Sequence, residues 1–234
     1  MLPLYLIPGL GADARLFGPL LPYLPATVRP QVLEWLPPLS PDELLAAYAA
    51  RLAAPIPTNE ACWVAGVSFG GILALEIGRL RPLAHLIQIS SIPTAEFLPL
   101  PLRLLRATRL YRLSPPQLLG KFSGLAKWFF GIQDREMGTL LRSFLSNMNV
   151  PYTRWAIHAL LSWDSAGIRP ALSLHGTHDR VFPLGHRRVE HRIAGGPHFM
   201  VYTHAKEVGA FLTEIIMSAN SNAKKATSRE RPPF

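Results

Sequence analysis

The sequence predicts an α/β fold, with a mainly parallel sheet of about six strands, helices on both faces and a helical insertion. Three observations carry this expectation. Short apolar runs alternate with amphipathic stretches from Leu2 to Ile89, and the alternation resumes from Ala171 to Met217. Glycine- and proline-rich turns follow several of the apolar runs at the end where a strand would finish. Between the two stretches, residues 93–165 are rich in Pro, Leu, Arg and aromatics and show no strand alternation. Strands that are apolar throughout are buried on both faces, which is the habit of parallel sheets wrapped by helices.

In chain order, Leu2–Ile7 reads as a strand running into the turn Pro8-Gly9-Leu10-Gly11, with a short helix expected over Ala14–Leu21. Val28–Leu33 is the second strand. Ser40-Pro41-Asp42-Glu43 has the pattern of a helix start, with Ser40 as N-cap, Pro41 at the first helical position and Glu43 placed to complete a capping box. That helix is expected to end before Pro55. Ala61–Ala65 is a strand, Ile72–Gly78 a helix closed by Pro82, and Leu83–Ile89 a strand. Within the insertion, helices are expected over Leu102–Leu113, Pro116–Phe122, Asp134–Ser146 and Pro151–Leu161. Ala171–His175 and Val189–Ala194 complete the sheet, and Thr203–Met217 is the closing helix. The expected organisation is a core of residues 1–92 and 166–218, a helical insertion at 93–165 and a disordered basic tail at 219–234.

At 234 residues the chain is long enough for one large domain with a real core. The net charge of +9 is unevenly spread: −1 over residues 1–92, +5 over 93–165, +2 over 166–218 and +3 beyond. Such patches are read first as solvated surface. No aromatic–basic motif supports nucleic-acid binding. Cys62 is the single cysteine, so no intrachain disulfide is possible and a buried, inert thiol is expected. Met1–Ile7 lacks the basic start of a secretory leader, and no apolar run approaches the ~18 residues of a membrane span. The expected location is cytoplasmic.

One turn organises the chemistry. Gly66-Val67-Ser68-Phe69-Gly70-Gly71 lies between a strand and a helix and matches G-x-S-x-G. So sharp a turn drives the central serine toward positive φ and holds its hydroxyl above the sheet at a helix N-terminus. A serine hydroxyl needs an adjacent base, a histidine suits that task near neutral pH, and the imidazole needs an acid to fix its orientation. Ser68, Asp179 and His198 follow in that order, each after a predicted strand.

Four motifs together resemble the α/β-hydrolase fold superfamily, of the serine esterase type with a helical cap. They are Leu6-Ile7-Pro8-Gly9-Leu10-Gly11, the Ser68 turn, Leu174–Pro183 with Asp179, and Gly195-Gly196-Pro197-His198-Phe199-Met200. The resemblance implies Ser68 as nucleophile, Asp179 as acid, His198 as base and the backbone N–H groups of Leu10 and Phe69 as oxyanion hole. It implies hydrolysis of small or medium carboxylic esters, with no cofactor and no metal. A serine at this position speaks against the dehalogenases and epoxide hydrolases of this fold, which use aspartate. A thioesterase, a carrier-linked methyl esterase and a C–C hydrolase share the triad, and a non-catalytic small-molecule receptor on the same fold is the alternative of another class. The chain departs from the family pattern in three ways. Its first strand corresponds to the family's third, without the N-terminal hairpin. Pro8-Gly9 stands where many members have His-Gly, and Pro197 precedes His198 where glycine is commoner.

Other residues compete for attention. Asp164 is a rival acid, although it precedes the strand that leads to Asp179. His175 and His178 are expected to support the Asp179 loop, and with Asp179 they match no metal-ligand spacing well. His186, His191 and His204 read as surface residues. Phe122, Trp128, Phe129, Phe130, Trp155 and Trp163 are placed to line an acyl or aryl pocket or to form the cap's own core. Arg103, Arg106, Arg109 and Arg112 form a slowly turning basic stripe on a helix, either a solvated face or a seat for an acidic acyl carrier or coenzyme A.

Overall fold

A computed structural model describes residues 1–109, 123–132, 135–147 and 149–229, with the backbone alone for 123–126 and 222–229. Six strands form one sheet: β1 (Leu2–Ile7), β2 (Val28–Val32), β3 (Cys62–Val67), β4 (Ala84–Ile89), β5 (Leu172–Gly176) and β6 (His191–Ile193). Their order is β2-β1-β3-β4-β5-β6, and every neighbouring pair is parallel. The register sets Ile7 opposite Gly66 and Val67 opposite Ile89, so the strand ends that carry the motifs lie side by side. Pro30 sits in β2, an edge strand, where a missing N–H leaves no broken ladder on a second side.

Alternation within the strands divides the core. Tyr5 and Ile7 of β1, with Cys62 and Val64 of β3, face one layer. Leu4 and Leu6, with Trp63, Ala65 and Val67, face the other. The first layer holds α1 (Leu45–Leu52) and α2 (Phe69–Leu80), while the second holds Leu16, Phe17 and the closing helix. Cys62 is free and buried, and burial pushes its thiol pKa up.

Between β4 and β5 the described helices are α3 (Leu100–Thr108), α4 (Ser123–Phe130), α5 (Arg135–Ser146) and α6 (Val150–Ser162). They attach to the sheet differently. Tyr152, Trp155, Ala156 and Ala159 of α6 join the first core layer, whereas Met137, Leu141 and Phe144 of α5 join the second. Trp155 also donates its indole N–H to the Glu43 carbonyl at 2.8 Å. The expected helix at Pro116–Phe122, the side chain of Phe122 and Arg112 lie outside the described residues. Helix α4 was not expected from the sequence.

Several boundaries differ from expectation for identifiable reasons. Ala14–Leu21 is not one helix but two 3-10 turns, Ala14–Phe17 and Leu21–Tyr23, because Pro19 and Pro22 remove N–H donors. Helix α1 starts at Leu45, and Ser40 does not cap it. The Glu43 carboxylate is instead held by the Leu39 N–H at 2.7 Å and by Arg51 at 2.9 Å. Strand β6 shortens to His191–Ile193, since the Glu190 side chain turns aside to accept from the Ser173 N–H and hydroxyl. After a short helix α7 (Met200–Thr203), α8 (Ala205–Arg229) continues well past Met217, through part of the tail expected to be disordered. Ala219, Ala223, Lys224, Lys225 and Ala226 are good helix formers and carry it on. No described helix is long and apolar enough to cross a membrane.

Candidate functional site

Ser68 joins β3 to α2 at φ 55° and ψ −119°, the strained backbone that the turn demands. Two glycines permit it. A side chain at Gly66 would overlap the Gly70 backbone, and one at Gly70 would overlap the carbonyls of Ile7 and Pro8. The second packing brings the β1 turn against the serine, so that a Cβ built on Gly9 would stand 3.5 Å from the Ser68 Cβ.

His198 Nε2 lies 2.9 Å from Ser68 Oγ, and His198 Nδ1 lies 2.8 Å from Asp179 Oδ2. A carboxylate only accepts, so Nδ1 carries the ring proton and leaves Nε2 as the acceptor facing the hydroxyl. His198 and Asp179 are buried and Ser68 half-buried. Asp179 Oδ1 accepts from the N–H groups of Val181 at 2.9 Å and Phe182 at 2.8 Å. Burial opposes the Asp179 charge, yet the histidines on either side and their hydrogen bonds hold its carboxyl well below the usual carboxylate range.

Beneath this trio lies a second layer. His175 Nε2 is 2.8 Å from the Phe182 carbonyl, 3.3 Å from Asp179 Oδ2 and 3.2 Å from Arg187 Nη2. The buried Arg187 guanidinium donates to the carbonyls of Ser91 at 2.8 Å, Phe182 at 3.0 Å, Pro183 at 3.1 Å and Leu184 at 3.2 Å. Ser91 Oγ in turn donates to the Ser68 carbonyl at 2.7 Å. Gln88 Nε2 donates to the carbonyls of Gly71 and Ile92 at 3.2 and 2.8 Å. These contacts tie the acid turn to the end of β4 and β4 to the serine turn.

Above Ser68 opens a cavity of about 360 Å³. Gly9, Leu10, Ser68, Phe69 and His198 form its floor, and Leu102, Leu105, Phe130, Leu141, Phe144, Ile157 and Leu160 from the four inserted helices face it. Its size falls within the usual range for small-molecule sites. Ser68 and His198 bring polar side-chain atoms to a lining that is otherwise apolar or backbone. Leu10 and Phe69, the expected oxyanion donors, both border it beside Ser68.

The rivals go elsewhere. Asp164 is exposed, where its Oδ1 accepts from the Ala166 N–H. His175 supports Asp179 from within the core, while His178 is exposed beside Arg180 and His204. Of the aromatics, Phe130 reaches the cavity; Trp155 and Trp163 are core, and Trp128 and Phe129 are exposed. Trp163 donates to the buried Glu76 carboxylate at 2.8 Å. The sequence reading missed Arg187, Ser91 and Gln88. Gln88 could have been noticed as a lone amide within an apolar strand. Arg187 sits in a polar loop with no pattern to distinguish it.

No protein-family model matches the sequence, and no curated protein does. Solved structures do match its fold. An esterase from Thermogutta terrifontis is 17% identical with a TM-score of 0.70, over 93% of this chain and 90% of that one. An esterase from Exiguobacterium antarcticum is 16% identical with a TM-score of 0.71, over 93% and 92%. A hydrolase from Pseudomonas aeruginosa is 16% identical with a TM-score of 0.69, over 92% and 89%. At such identities the likeness concerns the fold, and together with the six-stranded parallel sheet and the helices around it, it shows that the chain has the α/β-hydrolase fold.

Proposed function

We propose that the protein is a serine hydrolase of carboxylic esters with an apolar acyl group. The observation that carries this reading is His198, which touches Ser68 Oγ with one ring nitrogen and Asp179 with the other at the floor of an apolar cavity. Esterases among the structures of like fold are consistent with it.

The acyl chain enters the cavity and the ester carbonyl carbon meets Ser68 Oγ. As the C–O bond forms, the hydroxyl proton passes to His198 Nε2, and Asp179 stabilises the imidazolium. Negative charge collects on the carbonyl oxygen, where the Leu10 and Phe69 N–H groups receive it; one such donor is typically worth about 10²–10³ in rate. The tetrahedral species collapses, the ester C–O bond breaks and His198 returns the proton to the departing alcohol. Water then attacks the acyl-Ser68 carbonyl and gives a proton to His198; the bond from the acyl carbon to Ser68 Oγ breaks, His198 returns the proton to Oγ, and the acid leaves. The residues in place account for every proton.

Turnover of p-nitrophenyl esters of increasing acyl length, with one thioester alongside, tests the reading. Activity is expected on esters and lost in Ser68→Ala, and a fluorophosphonate probe is expected to label the parent alone, at Ser68. A parent that neither turns over any ester nor reacts with the probe is a binding protein, and the hydrolase reading fails.

A further inference from the structure

We propose that the outer face of α3 docks on an anionic lipid surface. Leu102 and Leu105 on this helix turn inward and line the cavity above Ser68. The opposite crest is formed by Leu100, Leu104 and Ala107, which a period of 3.6 residues places together. It is apolar as well, with Leu100 65% and Leu104 57% exposed. A helix on the surface of a globular protein normally turns a polar face to water. This one is apolar inside and outside and carries its charge along one flank.

That charge has a single sign. Arg103 borders the crest, Arg106 lies below it on the same flank and Arg109 follows as the C-cap; all three are exposed, and none forms an ion pair among the described residues. From Leu100 to Arg109 the three arginines are the only charged residues, and the exposed Glu96 lies one turn before the helix. An aliphatic crest with an arginine flank is the combination that lies in a headgroup layer: the apolar crest sinks in, and the arginines reach along it to lipid phosphates. An acidic protein would satisfy the arginines but leave the leucine crest without a specific reason. On a membrane, α3 would separate the lipid from the cavity by the thickness of one helix. Docking does not depend on the hydrolytic reading.

Co-sedimentation of the full-length protein with vesicles tests the proposal, using phosphatidylglycerol mixed with phosphatidylcholine against phosphatidylcholine alone. The parent is expected to bind the anionic vesicles, and to bind less as salt rises. Each arginine near the surface is typically worth about fivefold in binding, so Arg103→Gln with Arg106→Gln is expected to weaken it about 25-fold. Leu100→Ser with Leu104→Ser is expected to weaken it by roughly tenfold or more. Removing equal charge elsewhere, by Arg188→Gln with Lys206→Gln, should leave binding unchanged. Thermal melting and far-ultraviolet circular dichroism, expected to be alike in all variants, report folding and keep this test apart from that of the hydrolase. An equal loss in the control pair would mean general attraction of a cationic protein and overturn the proposal. So would absence of parent binding, or binding of an acidic acyl carrier protein through the same residues without binding to vesicles.

Discussion

Asp179 keeps its charge inside the fold because every direction around its carboxylate offers a hydrogen. Its folded pKa lies below the ordinary value of 3.8. The group therefore adds stability above about pH 4 and loses that contribution as pH falls through this value toward the folded one. The melting-temperature gap between the parent and Asp179→Asn is accordingly expected to be widest near neutrality and to close as pH drops below about 4, as a thermal-melting series will register. The same substitution is expected to lower kcat by about 10⁴, because an amide no longer holds the His198 tautomer. Arg187 calls for a different measurement. Replacing it with Met removes the donors for four backbone carbonyls, and a loss of roughly 2–4 kcal/mol in denaturant unfolding is expected, with Arg187→Lys recovering part of it. At this scale the sequence was informative where chemistry restricts the choice of residue. Ser68, Asp179 and His198 stood out because few side chains suit the tasks of the proposed mechanism, and the fold brings the three into hydrogen-bond contact. Arg187 was not, because any surface loop tolerates an arginine, and only folding reveals that this one is buried.

Helices and strands were legible to the extent that local patterns competed with nothing. The runs that became β1, β3 and β4 were clear, since an unbroken apolar strand has nowhere to go but the middle of a sheet. The start of α1 was misread, although Ser40 and Glu43 match a capping pattern. Arg51 and the Leu39 N–H hold the Glu43 side chain, and a tertiary ion pair outweighed a local cap. What anchors α1 instead is Tyr48, whose hydroxyl donates to the Leu36 carbonyl and accepts from the Leu36 N–H, both at 2.9 Å, while its ring lies 4.1 Å from that of Trp155. Tyr48→Phe leaves the ring and removes both bonds, so a destabilisation of about 1–3 kcal/mol is expected in urea unfolding. Burial pushes the Tyr48 pKa up to about 12. Its stabilising contribution thus holds below the ordinary value of 10 and fades as pH rises from there toward 12. The serine turn permits a sharper test. Gly70→Ala sets a methyl group against the Ile7 and Pro8 carbonyls, which are backbone and cannot swing away. Ester turnover is expected to fall by more than about tenfold as the β1 turn is pushed from Ser68.

For the whole molecule, the sequence announced a helical insertion but not how it is seated. That depends on which face of each inserted helix meets which layer, and amphipathic spacing alone does not choose between the two layers. The cavity's apolar lining makes a prediction at this scale. Leu160→Trp fills space above Ser68, so the longest p-nitrophenyl ester is expected to lose roughly tenfold or more in kcat/KM while the shortest is little affected.

Helices α5 and α6 have their roots on opposite sides of the sheet, and the cavity is the gap they leave. Its width is therefore a sum of two independent packing problems, one settled around Trp155 and the other around Phe144 and Phe199. Phe199 lines the cavity and shares its layer with Val208 and Phe211 of α8. A substitution at Phe211, which does not line the cavity, is thus expected to reach its width through the layer shared with Phe199. Stability and cavity width then rest on the same side chains, and a change in either core layer alters the space above Ser68.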